Sequence, residues 1–200
     1  MNFEIDNRNI ETSFNRIATE LMNNWILKAG DKSYRICELE FYCKSENNQD
    51  PYIHRHDLQY KMEKWYFHGS GLDLTFGCKD FPRSILIRAI YNLDDENYIY
   101  GPLNTATELL GNLPGIYGGD FSLRLEPDLK GKIKSEEKIK PIKAPRVGLK
   151  AEKDLNGIFF QQNYRFFVMP GEKHIGKEAA IKNSKLSDTE IKEILGYTLN

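Results

Sequence analysis

Two glutamates and a tyrosine alternate along one predicted strand, and an aspartate and a histidine follow in the next loop. The strand carries Glu38, Glu40 and Tyr42, and the loop carries Asp50 and His54. Side chains two residues apart on a strand point to the same face, so we expect Glu38 and Glu40 to lie together. A carboxylate held on a strand can make a water molecule nucleophilic and can stabilise a cationic sugar as its base departs. Hydrolysis of an N-glycosidic bond requires only one such glutamate.

Flat side chains that could hold a base lie close to these carboxylates in the sequence. A base taken out of a duplex is held by stacking on its two faces, and the shape of the pocket decides which bases enter. The candidates are Tyr42, His54, Trp65, Tyr66 and Phe67. Alternation along a strand predicts Trp65 and Phe67 on one side and Tyr66 on the other, so only part of this run can line a pocket.

Several short motifs occur in a fixed order along the chain. E-L-E-F-Y at 38–42 and D-P-Y-I-H at 50–54 match the patterns E-T-E-A-Y and D-x-x-x-H. The patterns Y-V-Y-x-x-Y-G, L-L-R-A, G-P-x-x-L-x-x-A-L-G, R-I-G-I and L-R-F-Y-V correspond to residues 65–69, 86–89, 101–111, 146–149 and 164–168. Together, from about residue 17 to 175, this order resembles the alkyladenine (3-methyladenine) DNA glycosylase family.

The resemblance implies a role for each matched residue. Glu40 would activate water, and Arg88 would support that water and a phosphate. Tyr42 and His54 would be the stacking walls for the base, with Trp65 as a further stacking aromatic. The implied activity is excision of an alkylated or deaminated purine from double-stranded DNA in base excision repair. It uses no cofactor, metal or lysine nucleophile, so the enzyme would be monofunctional.

The chain departs from the family at three positions near the expected site. His68 stands where members have the tyrosine that they insert into the DNA stack. Thr75 falls near the asparagine that screens bases by a clash, and Asp73 is acidic where members are apolar or neutral. These departures predict either a different choice of base or weaker wedging into DNA.

Each candidate also has a plain structural interpretation. Glu38 and Glu40 could face solvent at the edge of a strand. His54 and His56 could be surface residues, satisfied core residues or, as a His-x-His pair, metal ligands, although no third ligand stands at a suggestive spacing. Arg88 lies in an apolar strand and must be paired, either in a structural salt bridge or in a site.

Three alternative functions remain open at this point. The chain could be a nucleic-acid-binding module of the same fold with altered catalysis, or a glycosylase for a modified base in foreign DNA. It could also be a small hydrolase of a modified nucleotide, which would lack salt-dependent affinity for duplex DNA.

The segment from Lys130 to Lys153 is strongly basic. It holds nine lysines and arginines against three glutamates, although the net charge of the chain is only −1. A solvated loop is one explanation, and a DNA-binding flank is the other, because phosphate contacts dominate DNA affinity. The first choices for such contacts are Lys140, Lys143, Arg146 and Lys150.

The hydrophobic pattern predicts many short strands and a few helices. Helices are predicted at 11–28, at 104–110 after an Asn or Thr cap, and at 187–195 with a Ser187–Glu190 capping box. Strands are predicted at 34–42, 65–68, 72–76, 84–90, 145–149 and 164–169. This pattern favours an α+β fold with a twisted antiparallel sheet and peripheral helices, as in the methylpurine-DNA glycosylases that the chain resembles.

Composition limits the class of protein. The 200 residues, 40% of them hydrophobic, fit one domain spanning 1–200. No apolar run is long enough for a membrane span and the start is too polar for a signal peptide, so we expect a cytoplasmic protein without membrane contact. A single domain that binds DNA favours a monomer. Three cysteines without zinc spacing predict free thiols rather than disulfides or a metal site.

Overall fold

An antiparallel sheet dominates the structure. The computed structural model describes residues 1–154, 156–184 and 186–199. Within these residues ten strands form one sheet: β1 (Trp25–Ala29), β2 (Lys32–Ser45), β3 (Asn48–Gln49), β4 (Met62–His68), β5 (Gly71–Phe76), β6 (Arg83–Asn92), β7 (Asn97–Tyr100), β8 (Leu123–Pro127), β9 (Ile142–Ala144) and β10 (Arg165–Phe167). The helices are α1 (Ile10–Asn23), α2 (Pro102–Leu110), α3 (Ile158–Gln161), α4 (Lys177–Lys182) and α5 (Asp188–Leu195). The chain is therefore a single α+β domain, as predicted.

Strand β2 is the centre of the sheet. The main path runs β4-β5-β6-β2-β1-β8, and β10 pairs with β2 where β1 has ended. Glu40 consequently lies between Leu86 of β6 and Arg165 of β10 in the register. A bulge around Glu38 interrupts the β2–β6 pairing, and a bulge of this kind redirects side chains.

Helix α1 covers one face of β2. Asn9 caps the helix by accepting from the Thr12 N–H, and the apolar stripe of the helix is buried against the sheet. The rings of Phe14 and Phe41 stack with centroids 4.1 Å apart. The predicted helix was too long, because Trp25 and Leu27 belong to β1. Pairing of β1 with both β2 and β8 overrides the helical spacing of those two residues.

Helix α2 begins earlier than predicted. Its first residue is Pro102, preceded by Gly101 at φ 100°, whereas an Asn or Thr cap near Asn104 was expected. Proline suits the first helical position because it has no N–H to leave unsatisfied there. Asn104 instead donates from its side chain to the Tyr100 carbonyl. The helix ends at Gly111, as predicted.

The segment after residue 140 differs most from the prediction. The strand occupies Ile142–Ala144, and residues 145–149 are irregular because Arg146 is drawn inward to a buried carboxylate. The strand expected at 164–169 is confirmed over Arg165–Phe167. The last helix is confirmed with its Ser187–Glu190 capping box and its terminating Gly196.

Two further expectations concern cysteines and membrane spans. Cys37 and Cys43 are buried, Cys78 is exposed, and all three thiols are free. No helix in the described part of the chain is long and apolar enough to cross a membrane.

Candidate active site

A cavity of about 350 Å³ opens beside the central strand. Its wall is formed by β2, β4, β5 and β6, by the start of α2, and by the irregular segment that follows β9. The aromatic and polar lining includes Tyr42, His54, His68, Asp73 and Arg88; the apolar lining includes Leu86, Pro102, Val147 and Leu149; and two lysines, Lys150 and Lys153, complete it. The structure thus brings together residues that are up to about 110 positions apart in the sequence.

Glu40 lies immediately behind the wall of this cavity. Its Oε1 accepts from the Val147 N–H at 2.8 Å and lies 3.3 Å from Arg88 Nη1, and its Oε2 accepts from the Tyr42 hydroxyl at 2.8 Å. These three partners all line the cavity. Burial raises the pKa of Glu40, and Arg88, the Val147 N–H and the Tyr42 hydroxyl offset that rise only in part. The glutamate is therefore a buried acid–base group one side chain away from the cavity.

Arg88 joins the two glutamates of β2. Its Nε donates to Glu38 at 2.9 Å while its Nη1 contacts Glu40 at 3.3 Å. Burial acts to lower the pKa of Arg88, but the two carboxylates outweigh burial and raise it. The alternative of solvent-facing glutamates is excluded, because both side chains are fully buried.

Glu38 has two arginines and a histidine as partners. Besides Arg88, it contacts Arg165 Nη1 at 3.3 Å and His174 Nδ1 at 2.5 Å. Burial acts to raise the pKa of Glu38, but the hydrogen bond with His174 and the charges of Arg165 and Arg88 outweigh it and lower the pKa. The Phe167 ring stacks on His174 with centroids 4.4 Å apart and fixes its plane.

Two residues of this cluster were missed by sequence reasoning. Arg165 was assigned only to a strand and His174 to no element. Arg165 carries a weak signal, since a charged residue in an otherwise apolar strand must find a partner. His174 carries none, because it follows the strand in an irregular segment and reaches Glu38 across 136 positions.

Arg146 has a different place from the one predicted. It was a candidate for binding DNA phosphate, but it is buried and makes a two-pronged contact with Asp50, at 2.6 and 3.1 Å. Its guanidinium also lies over the rings of Tyr42, Tyr52 and Tyr164, at 4.6, 5.2 and 5.4 Å from their centroids. Arg146 therefore forms a buried ion pair with Asp50 and packs against the ring of Tyr42.

His54 and His68 line the side of the cavity next to β4, and the rings of Tyr66 and His56 pack beside them without lining it. The ring of His54 meets that of His68 edge-on at 5.1 Å, and Tyr66 lies 4.8 Å from His68 and stacks on His56 at 4.4 Å. Tyr42 lines the cavity from β2. Burial and the neighbouring His68 lower the pKa of His54, which favours its neutral ring.

Four other predicted site residues do not line the cavity. Trp65 packs on the opposite face of the sheet and donates from Nε1 to the Leu123 carbonyl, because strand alternation places Tyr66 and His68 on the cavity side. Thr75 is buried, and its hydroxyl accepts from the Lys64 N–H. Lys140 and Lys143 line a separate groove beside α4 and α5.

Metal binding finds no support in the described residues. Among residues 1–154, 156–184 and 186–199, no group of three or more histidine, cysteine, aspartate or glutamate side chains could hold a metal ion. His54 contacts aromatic rings, and the His56 Nδ1 accepts from the Leu58 N–H.

The protein is therefore an antiparallel α+β domain in which a buried cluster of carboxylates and arginines lies behind a cavity partly lined by aromatic side chains. No family model matches the sequence. Uncharacterized protein L759 of Acanthamoeba polyphaga mimivirus is 30% identical over 171 residues, which cover 70% of this chain and 79% of that protein. The chain belongs to the same family as protein L759.

Proposed function

We propose that this protein is a monofunctional DNA glycosylase that flips a damaged purine out of double-stranded DNA and excises it. The observation that carries the proposal is the position of Glu40, a buried carboxylate whose three partners Tyr42, Arg88 and Val147 all line one cavity. The antiparallel sheet with peripheral helices agrees with the methylpurine-DNA glycosylase-like fold that the sequence motifs imply.

The proposed reaction is displacement of the base by water. The water oxygen bonds to the sugar carbon C1′, the C1′–N bond breaks, and its electron pair leaves with the base. The proton of the attacking water passes to Glu40. Burial raises the pKa of Glu40 toward the range in which a general base works well near neutral pH. The negative charge also stabilises the positive charge that develops on the sugar.

Arg88 and Tyr42 hold the carboxylate in position for this reaction. Together with the Val147 N–H, they occupy three of the roughly four acceptor sites of the Glu40 carboxylate. The proposal assigns the remaining site to the attacking water molecule. Tyr42 thereby connects two roles, since its ring lines the cavity while its hydroxyl donates to Glu40.

Lysines at the cavity suit a polyanionic substrate. Lys150 and Lys153 line the cavity on the irregular segment after β9, and both side chains are exposed. A backbone phosphate beside a flipped nucleotide would lie near such groups. Lys140 and Lys143, on the groove beside α4 and α5, would serve only an extended DNA contact.

The first experiment is single-turnover release of base from duplex oligonucleotides that carry 7-methylguanine, hypoxanthine or ethenoadenine. We expect the wild-type protein to release at least one of these bases, and we expect Glu40→Gln to lower that rate by about 10²–10⁴-fold, the range typical of a lost general base. Glu46→Gln is the matched control, because Glu46 is exposed just beyond the same strand and should leave the rate unchanged. Equal release by Glu40→Gln would remove Glu40 from the mechanism.

The second candidate is a nucleic-acid-binding module of the same fold without excision. The occupation of both Glu40 oxygens by protein groups is the feature that favours it. Salt-dependent duplex binding by a wild-type protein that releases none of the three bases would support this alternative or a base that was not supplied. Absence of salt-dependent duplex binding would instead favour a hydrolase of free nucleotides.

A further inference from the structure

Asp73 contributes a carboxylate to the cavity wall two strands away from Glu40, and Leu86 lies between them in the register. It lies on β5 opposite Tyr66 in the register, lines the cavity, and has a side chain only 4% exposed. Its Oδ1 contacts His68 Nε2 at 2.9 Å, and its Oδ2 accepts from the Ser84 hydroxyl at 2.6 Å. The direction of both hydrogen bonds is fixed by backbone groups further out.

The first series of hydrogen bonds leads to Asp73 through His68. The backbone N–H of Ser70 donates to His68 Nδ1 at 3.3 Å, so that nitrogen is an acceptor without a proton. In a neutral imidazole the other nitrogen then carries the hydrogen. His68 Nε2 therefore donates to Asp73, and Asp73 is the acceptor.

The second series of hydrogen bonds leads to Asp73 through Gln59 and Ser84. The backbone N–H of His56 donates to Gln59 Oε1 at 3.1 Å, which settles the orientation of that amide. Gln59 Nε2 then donates to the Ser84 hydroxyl oxygen at 2.8 Å, and the Ser84 hydroxyl hydrogen points at Asp73. Both series of hydrogen bonds deliver a hydrogen to Asp73, so each of its carboxylate oxygens is an acceptor.

Asp73 is consequently an acceptor with spare capacity. Of about four acceptor sites on a carboxylate, His68 and Ser84 use two. A base edge that offers an N–H gains a charge-assisted hydrogen bond there, whereas an edge with only acceptors places its lone pairs against a negative charge. A polar group that is built to pair discriminates strongly against a ligand that leaves it unpaired.

We propose, building on the glycosylase function above, that Asp73 is a specificity-determining residue. It selects purines that present N–H donors on their Watson–Crick edge and rejects those whose donors are blocked. Guanine-type bases present N1–H and an amino group at this edge. In 1,N6-ethenoadenine the etheno bridge joins N1 and N6 and removes the amino donor of adenine, so that base is excluded even though its flat rings suit the aromatic walls.

The test is equilibrium binding of two neutral nucleosides, guanosine and 1,N6-ethenoadenosine, to the full chain near pH 7. We expect the wild-type protein to prefer guanosine by about 10–100-fold, the range for a hydrogen bond to a charged group, and Asp73→Asn to lose most of that preference. Asp80→Asn is the control variant, because Asp80 is exposed beyond the end of β5 and does not line the cavity. It should retain the preference for guanosine.

Several outcomes would overturn the inference: no binding of either nucleoside, no preference in the wild-type protein, an unchanged preference in Asp73→Asn, or an equal loss of preference in Asp80→Asn. Thermal unfolding of each variant separates a lost contact from a lost fold. The binding measurement breaks no bond, so it is independent of the glycosylase proposal. Donor preference without base release from DNA would contradict only the proposed function, and base release without donor preference would contradict only the role of Asp73.

Discussion

Glu38 and Glu40 are the same residue type on the same strand, share Arg88 and are both fully buried, yet their pKa values move in opposite directions. Around Glu38 the hydrogen bond with His174 and the charges of Arg165 and Arg88 overcome the effect of burial. Around Glu40 the charges of Arg88 and Arg146, one backbone N–H and one tyrosine hydroxyl do not. The surroundings, rather than the residue type or its distance from solvent, separate the two carboxylates.

The difference assigns separate roles to the two glutamates. Glu38 is a fixed anion that compensates buried cations and orients Arg88 through its Nε. Glu40 is the carboxylate with the weaker set of partners, and those partners line the cavity. A buried charge that is well compensated is inert, whereas one that is incompletely compensated can exchange a proton.

The largest expected effect is on folding stability when Glu38 is neutralised. Glu38→Gln leaves Arg165 and His174 without a negative partner, and a guanidinium cannot shed its proton to escape burial. Removing one member of a buried ion pair costs about 3–5 kcal/mol in the free energy of unfolding. Urea unfolding near pH 7 measures this loss.

The matched control for this loss is Glu126→Gln. Glu126 pairs with Arg124 at 2.6 Å on β8, but both side chains are exposed, and surface pairs contribute about 0–1 kcal/mol. A Glu38→Gln variant as stable as Glu126→Gln would mean that the buried cations do not depend on Glu38.

A second expectation concerns how the folding stability changes as the pH falls below 6. The folded-state pKa of Glu38 lies below its ordinary value of 4.5, so the unfolded chain binds the proton more readily. The stabilisation is complete above the unfolded pKa and is lost as the pH falls through the folded pKa. Comparing the stability of wild type and Glu38→Gln as the pH is lowered from 6 should show the two curves converging below about pH 4.5. Parallel curves would contradict the lowered pKa.

The smallest expected effect is on folding stability when Glu40 is neutralised. Glu40→Gln leaves Arg88 with Glu38 as its partner, and the glutamine can still accept from the Val147 N–H. The raised pKa of Glu40 means that its ionised form costs folding free energy at neutral pH, and the substitution removes that cost. We expect a change of about 1 kcal/mol or less, the net worth of one neutral hydrogen bond, measured by the same urea unfolding. A loss as large as that of Glu38→Gln would erase the distinction between the two glutamates.

Much of the fold was predictable because it depends on local signals. The alternation of residues 34–42 predicted the centre of β2, and the capping box at Ser187 predicted α5. Errors arose where distant pairing overruled local spacing. Trp25 and Leu27 continue a helical stripe in sequence but pair with β2 and β8, and Arg146 leaves the expected strand to reach Asp50.

The sequence also predicted only part of the candidate site. Glu40, Arg88, Tyr42, His54, His68 and Lys150 come together at one cavity, while Trp65, Thr75, Lys140, Lys143 and Arg146 have other positions. Motif order could not tell the two faces of a strand apart at Trp65. It also could not tell whether a basic residue remains on the surface, because that depends on a carboxylate 96 positions away for Arg146.

The sequence by itself determined the strand that carries Glu38 and Glu40, their common face, and the aromatic and basic residues available to a site. Those properties follow from residue type and from the period of two along a strand. Only the tertiary structure decided which glutamate is compensated, that His174 and Arg165 reach Glu38, and that two backbone N–H groups make Asp73 an acceptor. The pKa of a buried group depends on the dielectric and on the charges within a few ångströms, and those neighbours come from distant parts of the chain.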